Sequence, residues 1–249
     1  MSFSLLQWNV WYKESPENIA KFLSEVDADV ICMQELTQGM EIHQFRDVFA
    51  WLQSELHYFG YFHEGHRWPR AEQRIETIGN GILSRFPIQN SYHEFVQFPF
   101  EEKKTPYAEE GRVYVEVEVE IAGESVTVGT VHLSYTDRFQ DMTHQQQETD
   151  RLLEIVKKKQ GKYILTGDLN AVPSSTVVHR LQKHLQHCGP DFSTKTWTTK
   201  HHKHANYEAN SLDWRLDYVF ATRDIQVLES KTLLTPISDH LPMWFRLTV

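Results

Sequence analysis

An α/β or α+β domain, with a large mixed or antiparallel sheet core covered by helices, is the fold class predicted by three features of the chain. Several apolar runs are continuous enough to be strands covered on both faces. The middle of the sequence alternates strictly with period two. About four segments of helical period lie between the strands. No repeat of 20 to 50 residues and no low-complexity linker divides the 249 residues, so residues 1–249 read as one domain.

The elements follow in order. "FSLLQWNV" (3–10) reads as a strand. "SPENIAKFLSEV" (15–26) reads as a helix, with Ser15 as N-cap and Pro16 in the first turn. Its Ile19, Phe22, Leu23 and Val26 fall at i, i+3, i+4 and i+7, one buried stripe. "ADVICMQEL" (28–36) is a near-continuous apolar run, which suits a doubly covered strand. "FRDVFAWLQSEL" (45–56) is a second helical pattern, and "GNGILSRFPI" (79–88) holds a short strand stopped by Pro87. In "RVYVEVEVEI" (112–121) the valines and Ile121 take one face, while Tyr114 and three glutamates take the other. This is a half-exposed antiparallel strand. Ala122-Gly123 turns the chain into its hairpin partner, "SVTVGTVHL" (125–133). "THQQQETDRLLEIVKKK" (143–159) is a helix whose C-terminal lysines suit the helix dipole. A strand "YILTGDL", a helix "STVVHRLQKHL", a strand "RLDYVFAT" and a final strand "HLPMWFRLTV" complete the pattern.

Composition narrows the function. At 40% hydrophobic and 12% aromatic residues the chain can bury a sizeable core. No apolar run reaches 18 residues, which speaks against a membrane span. The first residues carry neither the basic start nor the apolar run of a signal peptide. Two distant cysteines, Cys32 and Cys188, make no disulfide framework, so a reducing cytoplasm is expected and Cys32 reads as an inert core thiol. The net charge of -9 is a poor match for a protein that coats long nucleic acid, yet it allows an enzyme that meets phosphate in one local cleft.

Polar residues recur where apolar runs end: Asn9, Glu35, His132, Asp168 with Asn170, Asp217, and Asp239 with His240. A lone buried acid or imidazole is usually a satisfied structural group. Several together are costly to bury unless they bind a cation or one another. Oxygen ligands such as Glu35 and Asp239 suit a hard ion, Mg²⁺ or Mn²⁺, and the absence of cysteine excludes a zinc-thiolate site. Asp168 and Asn170, two apart at a strand end, can point the same way.

The ordered motifs "WNV", "QE", "NGILSRFPI", "VHL", "GDLN", "RLDYVF" and "SDHLP", spread over residues 5 to 245, resemble the endonuclease/exonuclease/phosphatase superfamily. Its members include pancreatic-type deoxyribonuclease, abasic-site endonucleases, neutral sphingomyelinases, inositol-polyphosphate 5-phosphatases and tyrosyl-DNA phosphodiesterases. The resemblance implies a four-layer α/β sandwich of two packed mixed sheets flanked by helices, cleaving phosphoesters with a divalent cation. It implies that Glu35 is the main metal ligand, that Asp239 joins or supports the metal site, and that Asn9 contacts metal or phosphate. Asp168 would orient and deprotonate the attacking water, and Asn170 would hold a phosphate oxygen or the water. His240 would bond the scissile phosphate with Asp217 orienting it, and His132 would be a second donor or general acid. Abasic-site endonucleases carry an Asp two residues after the Asn, where this chain has Trp11.

Three further features have competing readings. Arg112 resembles a phosphate contact, or is a surface residue beside Glu109 and Glu110. Asn80 lines the cleft, or serves turn chemistry between glycines. His201, His202 and His204 with Lys200 and Lys203 form a metal site or a solvated basic loop. The segments 63–74 and 193–215 mix basic and aromatic residues and are expected on the rim of the site, able to hold a phosphate backbone and stack on bases, to hold a sugar or inositol ring, or to pack on their own scaffold. The function expected is Mg²⁺-dependent hydrolysis of a phosphodiester by in-line water attack, in nucleic acid first, by a cytoplasmic monomer without a membrane partner. The alternative is a phosphorylated metabolite, inositol phosphate or phospholipid headgroup.

Overall fold

The computed structural model describes residues 2–99, 110–204 and 207–249, without the side chains of Glu72 and His204; Glu109 and the His204 side chain therefore lie outside the described residues. The chain opens with β1 (Ser2–Asn9), α1 (Pro16–Val26) and β2 (Val30–Gln38). Ser15 caps α1 by accepting a bond from the Asn18 amide, and the left-handed Asp27 ends it. Helix α2 (Val48–Leu56) is capped by Asp47, and β3 (Phe59–Pro69), β4 (Ile75–Ser84) and β5 (Ile88–Gln97) follow. Next come β6 (Arg112–Ile121), β7 (Glu124–His132), α3 (Thr143–Lys158), β8 (Lys162–Asp168) and α4 (Thr176–Gln182). Short strands β9 (Gln186–His187), β10 (His202–His204) and β11 (Tyr207–Ala209) precede β12 (Asp217–Ala221), β13 (Gln226–Thr232) and β14 (Met243–Thr248).

The strands form two six-stranded mixed sheets, ordered β13-β14-β1-β2-β4-β3 and β5-β6-β7-β8-β12-β9, plus the β10-β11 hairpin. The valine face of β6 packs with Phe3, Leu5, Ile164, Phe245 and Leu247 into the core between the sheets. Helices α1 and α2 cover the outer face of the first sheet, and α3 and α4 that of the second. The four layers are therefore helix, sheet, sheet, helix. β1 is central in its sheet, parallel to β2 on one side and antiparallel to β14 on the other, with Ser2 opposite Thr248.

Each sheet holds a parallel pair joined through a helix, β1-α1-β2 and β7-α3-β8. Asn9 aligns with Gln34 at the end of one pair, and His132 with Asp168 at the end of the other. Carboxyl ends of parallel strands are where open α/β sheets place their ligands. Here two such ends meet across the sandwich.

Several local expectations change. Residues 63–69 form part of the edge strand β3, not a loop, because β4 begins at Ile75 and is longer than the "GNGILS" run. Strands β5 and β13 lack clean alternation, and both were missed by the periodicity. Tyr114 is buried, not half-exposed, because its ring packs beneath α3 among Leu152, Val156 and Tyr163. Cys32 is a buried free thiol, pushed up to about 12 by burial, and is inert as expected.

Gly167 immediately precedes Asp168, and a Cβ there would sit 2.1 Å from the Val131 carbonyl oxygen of the neighbouring strand. Gly167→Ala should force β8 away from β7 and destabilise the fold by about 1–3 kcal/mol. The denaturant midpoint of the purified variant against the parent measures this.

Candidate active site

Three non-glycine residues in or beside the site adopt the left-handed region: Trp11 (φ 63) just after β1, Glu35 (φ 61) inside β2 and Asn170 (φ 45) just after β8. Such conformations persist only where surrounding bonds hold them. For Glu35 the holder is a bulge in β2, where the pairing with β4 shifts between Met33 and Leu36. For Asn170 it is its own amide donating to Asp168 Oδ1 at 2.9 Å. For Trp11 it is its amide donating to Asn9 Oδ1 at 3.0 Å.

These turns bring the expected residues together. Asn9 Nδ2 donates to Glu35 Oε1 at 2.9 Å and to Asp168 Oδ2 at 3.1 Å, so one amide links the two sheets. The Tyr12 amide donates to Glu35 Oε2 at 3.0 Å. His240 Nδ1 lies 2.8 Å from Asp217 Oδ2, and its Nε2 lies 3.5 Å from Asp168 Oδ2. Asp239 Oδ2 accepts from the Trp197 indole at 3.0 Å. Asn170 donates to the Leu133 carbonyl at 2.9 Å and reaches His132 Nε2 at 3.0 Å. Both its N–H groups are thus engaged, and the expected contact to a phosphate oxygen would require releasing one of them.

Asn80 and Arg112 line a small cleft together with Glu35, His132, Gly65 and Gly111. Asn80 Nδ2 donates to the Val113 carbonyl at 2.7 Å. Arg112 reaches Ser134 Oγ through Nε at 3.3 Å and Glu110 at 3.2 Å, and it is largely buried, unlike a free surface arginine.

Residues that the sequence did not single out support this cluster. Gln7 and Gln34 bond each other, Gln34 donates to Thr130 Oγ1 at 2.7 Å, and Gln7 approaches Asp217 at 3.5 Å. The Trp8 indole donates to the His240 carbonyl at 3.1 Å, and Ser238 Oγ donates to the Asn9 carbonyl at 2.6 Å. Each glutamine sits inside an apolar run next to a site residue, and that was the available signal. Trp197 carries no such signal.

Electrostatics divide the roles. Burial pushes Asp168 up to about 7, helped by the Asp217 charge and opposed by His240. Burial works against a charged His240, yet Asp217, Asp168 and Asp239 outweigh it and hold the imidazole well above its ordinary value. His132 is held well below its ordinary value by burial, then by Arg112 and His240, so it is neutral. Burial and the neighbouring Asp239 raise Glu35.

Two groups of donors bear on a metal ion. Asp168, Asp217 and His240 offer atoms all within 4.8 Å and could hold one. His240 already bonds Asp217 there, so the trio is balanced by its own imidazolium. Glu35 and Asp239 repel each other, and among the described residues neither pairs with a lysine or arginine. The oxygen donors of Glu35 and Asp239 suit a hard divalent cation, whereas Asn9 turns its Nδ2 toward Glu35 and its Oδ1 toward the Trp11 amide, so ligation by Asn9 would require its amide to reorient.

The two basic segments are largely neutralised. Arg67 pairs with Glu64, Arg70 with Glu76 at 2.8 Å, and Arg74 lies 4.9 Å over the Phe45 ring. Trp197 is core, packed with Phe139 and Leu216. His201 bonds Glu208 at 2.7 Å in the β10-β11 hairpin, and His202 lies 4.9 Å from the Trp197 ring. No metal cluster forms there among the described residues.

The model of the Endonuclease/Exonuclease/phosphatase family matches residues 6–240. No curated protein matches the chain. Among solved structures, the endonuclease/exonuclease/phosphatase from Beutenbergia cavernae is similar at 20% identity and TM-score 0.72, over 99% of this chain and 71% of that one. The human Nocturnin catalytic domain with bound sulfate anion aligns at 20% identity and TM-score 0.67, over 99% and 94%. The mannosyl-6-phosphatase Bt3783 of Bacteroides thetaiotaomicron aligns at 14% identity and TM-score 0.68, over 99% and 100%. No helix among the described residues is long and apolar enough to cross a membrane.

The raised Asp168 has a stability consequence. Because the fold favours its protonated form, Asp168 binds more proton folded than unfolded between about pH 4 and about 7, and its contribution falls as pH rises through that window. In the presence of EDTA, Asp168→Asn should therefore melt higher than the parent at pH 7.5, with the difference shrinking toward pH 4. Thermal melts across that range check it.

Proposed function

The chain belongs to the endonuclease/exonuclease/phosphatase family, and from that premise we propose that it hydrolyses a phosphodiester with a divalent cation, by in-line attack of an activated water. The carrying observation is the convergence of a carboxylate poised near neutrality, Asp168, with a charged imidazole, His240, whose partner Asp217 lies 2.8 Å away. A general base works best when its proton affinity lies near the working pH. Asp168 takes the proton of the attacking water. His240 presents its Nε2–H to a phosphoryl oxygen, where charge gathers in the transition state. Asp217 fixes the ring and keeps it charged. Asn170 holds the neutral His132 as a hydrogen-bonding group beside the phosphate. Asn80 and Arg112 frame the cleft that receives it.

Glu35 and Asp239, with Asn9, would hold the cation, Mg²⁺ or Mn²⁺. When bound, it supplies positive charge to phosphoryl and leaving-group oxygens. A small phosphorylated substrate is the second reading, favoured by the pairing of Arg67 and Arg70 with glutamates, which leaves few free cations for a long polyanion. The fold also carries a mannosyl-6-phosphatase. Assay of phosphodiesters and phosphomonoesters with Mg²⁺ and with EDTA separates the two readings.

Activity should vanish in EDTA and return with Mg²⁺. Glu35→Ala should fold normally, lose at least about a hundredfold in turnover, and lose the rise in melting temperature that Mn²⁺ gives the parent. Retention of either property would count against Glu35 as a ligand.

Asp217→Asn should keep the fold and lower kcat by about tenfold or more. Removing the charge that raises His240 should also move the alkaline limb of the pH–rate profile to lower pH. A profile with an unmoved limb would sever the pair from catalysis.

A further inference from the structure

Trp11 stands where the abasic-site branch has an acid, and the reaction as proposed gives its ring no task. The residue is held in the left-handed region beside Asn9, and the next amide, of Tyr12, binds Glu35. Its indole is half-buried and is not part of the lining of the Asn80–Arg112 cleft, while its backbone amide is bonded to Asn9 of the site. Two ammonium groups from distant segments converge on it. Lys13 Nζ lies 5.7 Å from the ring centroid and Lys200 Nζ 5.1 Å. Lys13 is exposed, also lies 5.2 Å over Tyr12, and meets no carboxylate among the described residues. Lys200 contacts Glu14 at only 3.5 Å. Its segment is anchored to the site, because the Thr199 amide donates to the Asp239 carbonyl at 3.0 Å.

A phosphomonoester needs one pocket beside the reacting phosphate, whereas a diester needs room for a substituent on each side. The small cleft of Asn80 and Arg112 opens beside Glu35 and His132 and marks one side. We propose that Trp11, Lys13 and Lys200 form the second, and that it takes a nucleoside bearing a further phosphate. The flat indole stacks on the base. The flexible lysine stems swing the ammonium groups from the ring onto the second phosphate. A ligand that is both planar and anionic matches a ring flanked by cations better than a neutral sugar does. This assignment rests on the phosphodiesterase reading for its chemistry, but not for its binding.

The test therefore has a binding arm and a turnover arm. Thymidine 3′,5′-bisphosphate and ribose 5-phosphate are titrated calorimetrically in Mg²⁺ into the Asp168→Asn protein, which does not consume them. The bisphosphate should bind roughly tenfold or more tighter than ribose 5-phosphate. Trp11→Ala should abolish most of that advantage, and Trp11→Phe should keep much of it. Lys13→Ala, a surface change, combined with Lys200→Ala, which also removes the ion pair to Glu14, should weaken the bisphosphate and flatten its salt dependence. Equal binding of the two ligands, or variants that bind the bisphosphate like the parent, would overturn the subsite.

In the turnover arm, kcat/KM for the p-nitrophenyl ester of thymidine 5′-phosphate, which carries the base but no second phosphate, should fall further in Trp11→Ala than that for methyl p-nitrophenyl phosphate. An equal fall for both esters would overturn the assignment. If neither ester is hydrolysed while bisphosphate binding follows Trp11 and the lysines, the subsite stands and the phosphodiesterase reading falls.

Discussion

The primary amide of Asn9 is the interaction on which the site depends. It reaches from β1 to Glu35 in its own sheet and to Asp168 in the other, so the two sheets share one hydrogen-bonding group. Polar atoms between packed sheets must find partners or destabilise the fold. Here they find them in one continuous seam. Gln7 and Gln34 join Thr130, Gln7 approaches Asp217, and Ser238 closes onto the Asn9 carbonyl. An apolar seam would pack as well. It would not fix the separation of the two acids, and a displacement of about 1 Å is enough to cost an enzyme much of its rate.

The same seam concentrates negative charge. Asp168, Asp217 and Asp239 surround one imidazole, and Glu35 lies close enough to Asp239 for each charge to oppose the other. The protein stabilises this arrangement with His240 and with the Trp197 indole on Asp239. What is left uncompensated is what a divalent cation would neutralise. The buried acids thus cost the fold stability.

Much of this was legible in the sequence, for identifiable reasons. Helices α1 and α3 and strand β6 announce themselves by period, because each buries one face against a continuous core. The acids at strand ends stand out because they interrupt apolar runs. Strands β3, β5 and β13 were not legible, since edge strands are covered unevenly and show no clean alternation. The pairing of Asp217 with His240 followed only from the family resemblance, as did the four layers. The left-handed bend at Glu35 and the bond from Trp197 to Asp239 are tertiary, and no local pattern encodes them. Arg70 looked like a free cation because the Glu76 that neutralises it comes from β4, whereas the partner of Arg67, Glu64, lies on the same strand.

The position of β1 between β2 and β14 also orders events during synthesis. One neighbour is made within about thirty residues, while the other is the last strand to form. Until β14 arrives, one edge of a strongly apolar central strand has no partner. Long-range pairing of this kind is slow, and an unpaired apolar edge invites contact with other chains. The first sheet therefore cannot close until the segment carrying β14 has been made. For the more than two hundred residues between β1 and β14, the central strand of that sheet waits with one edge open.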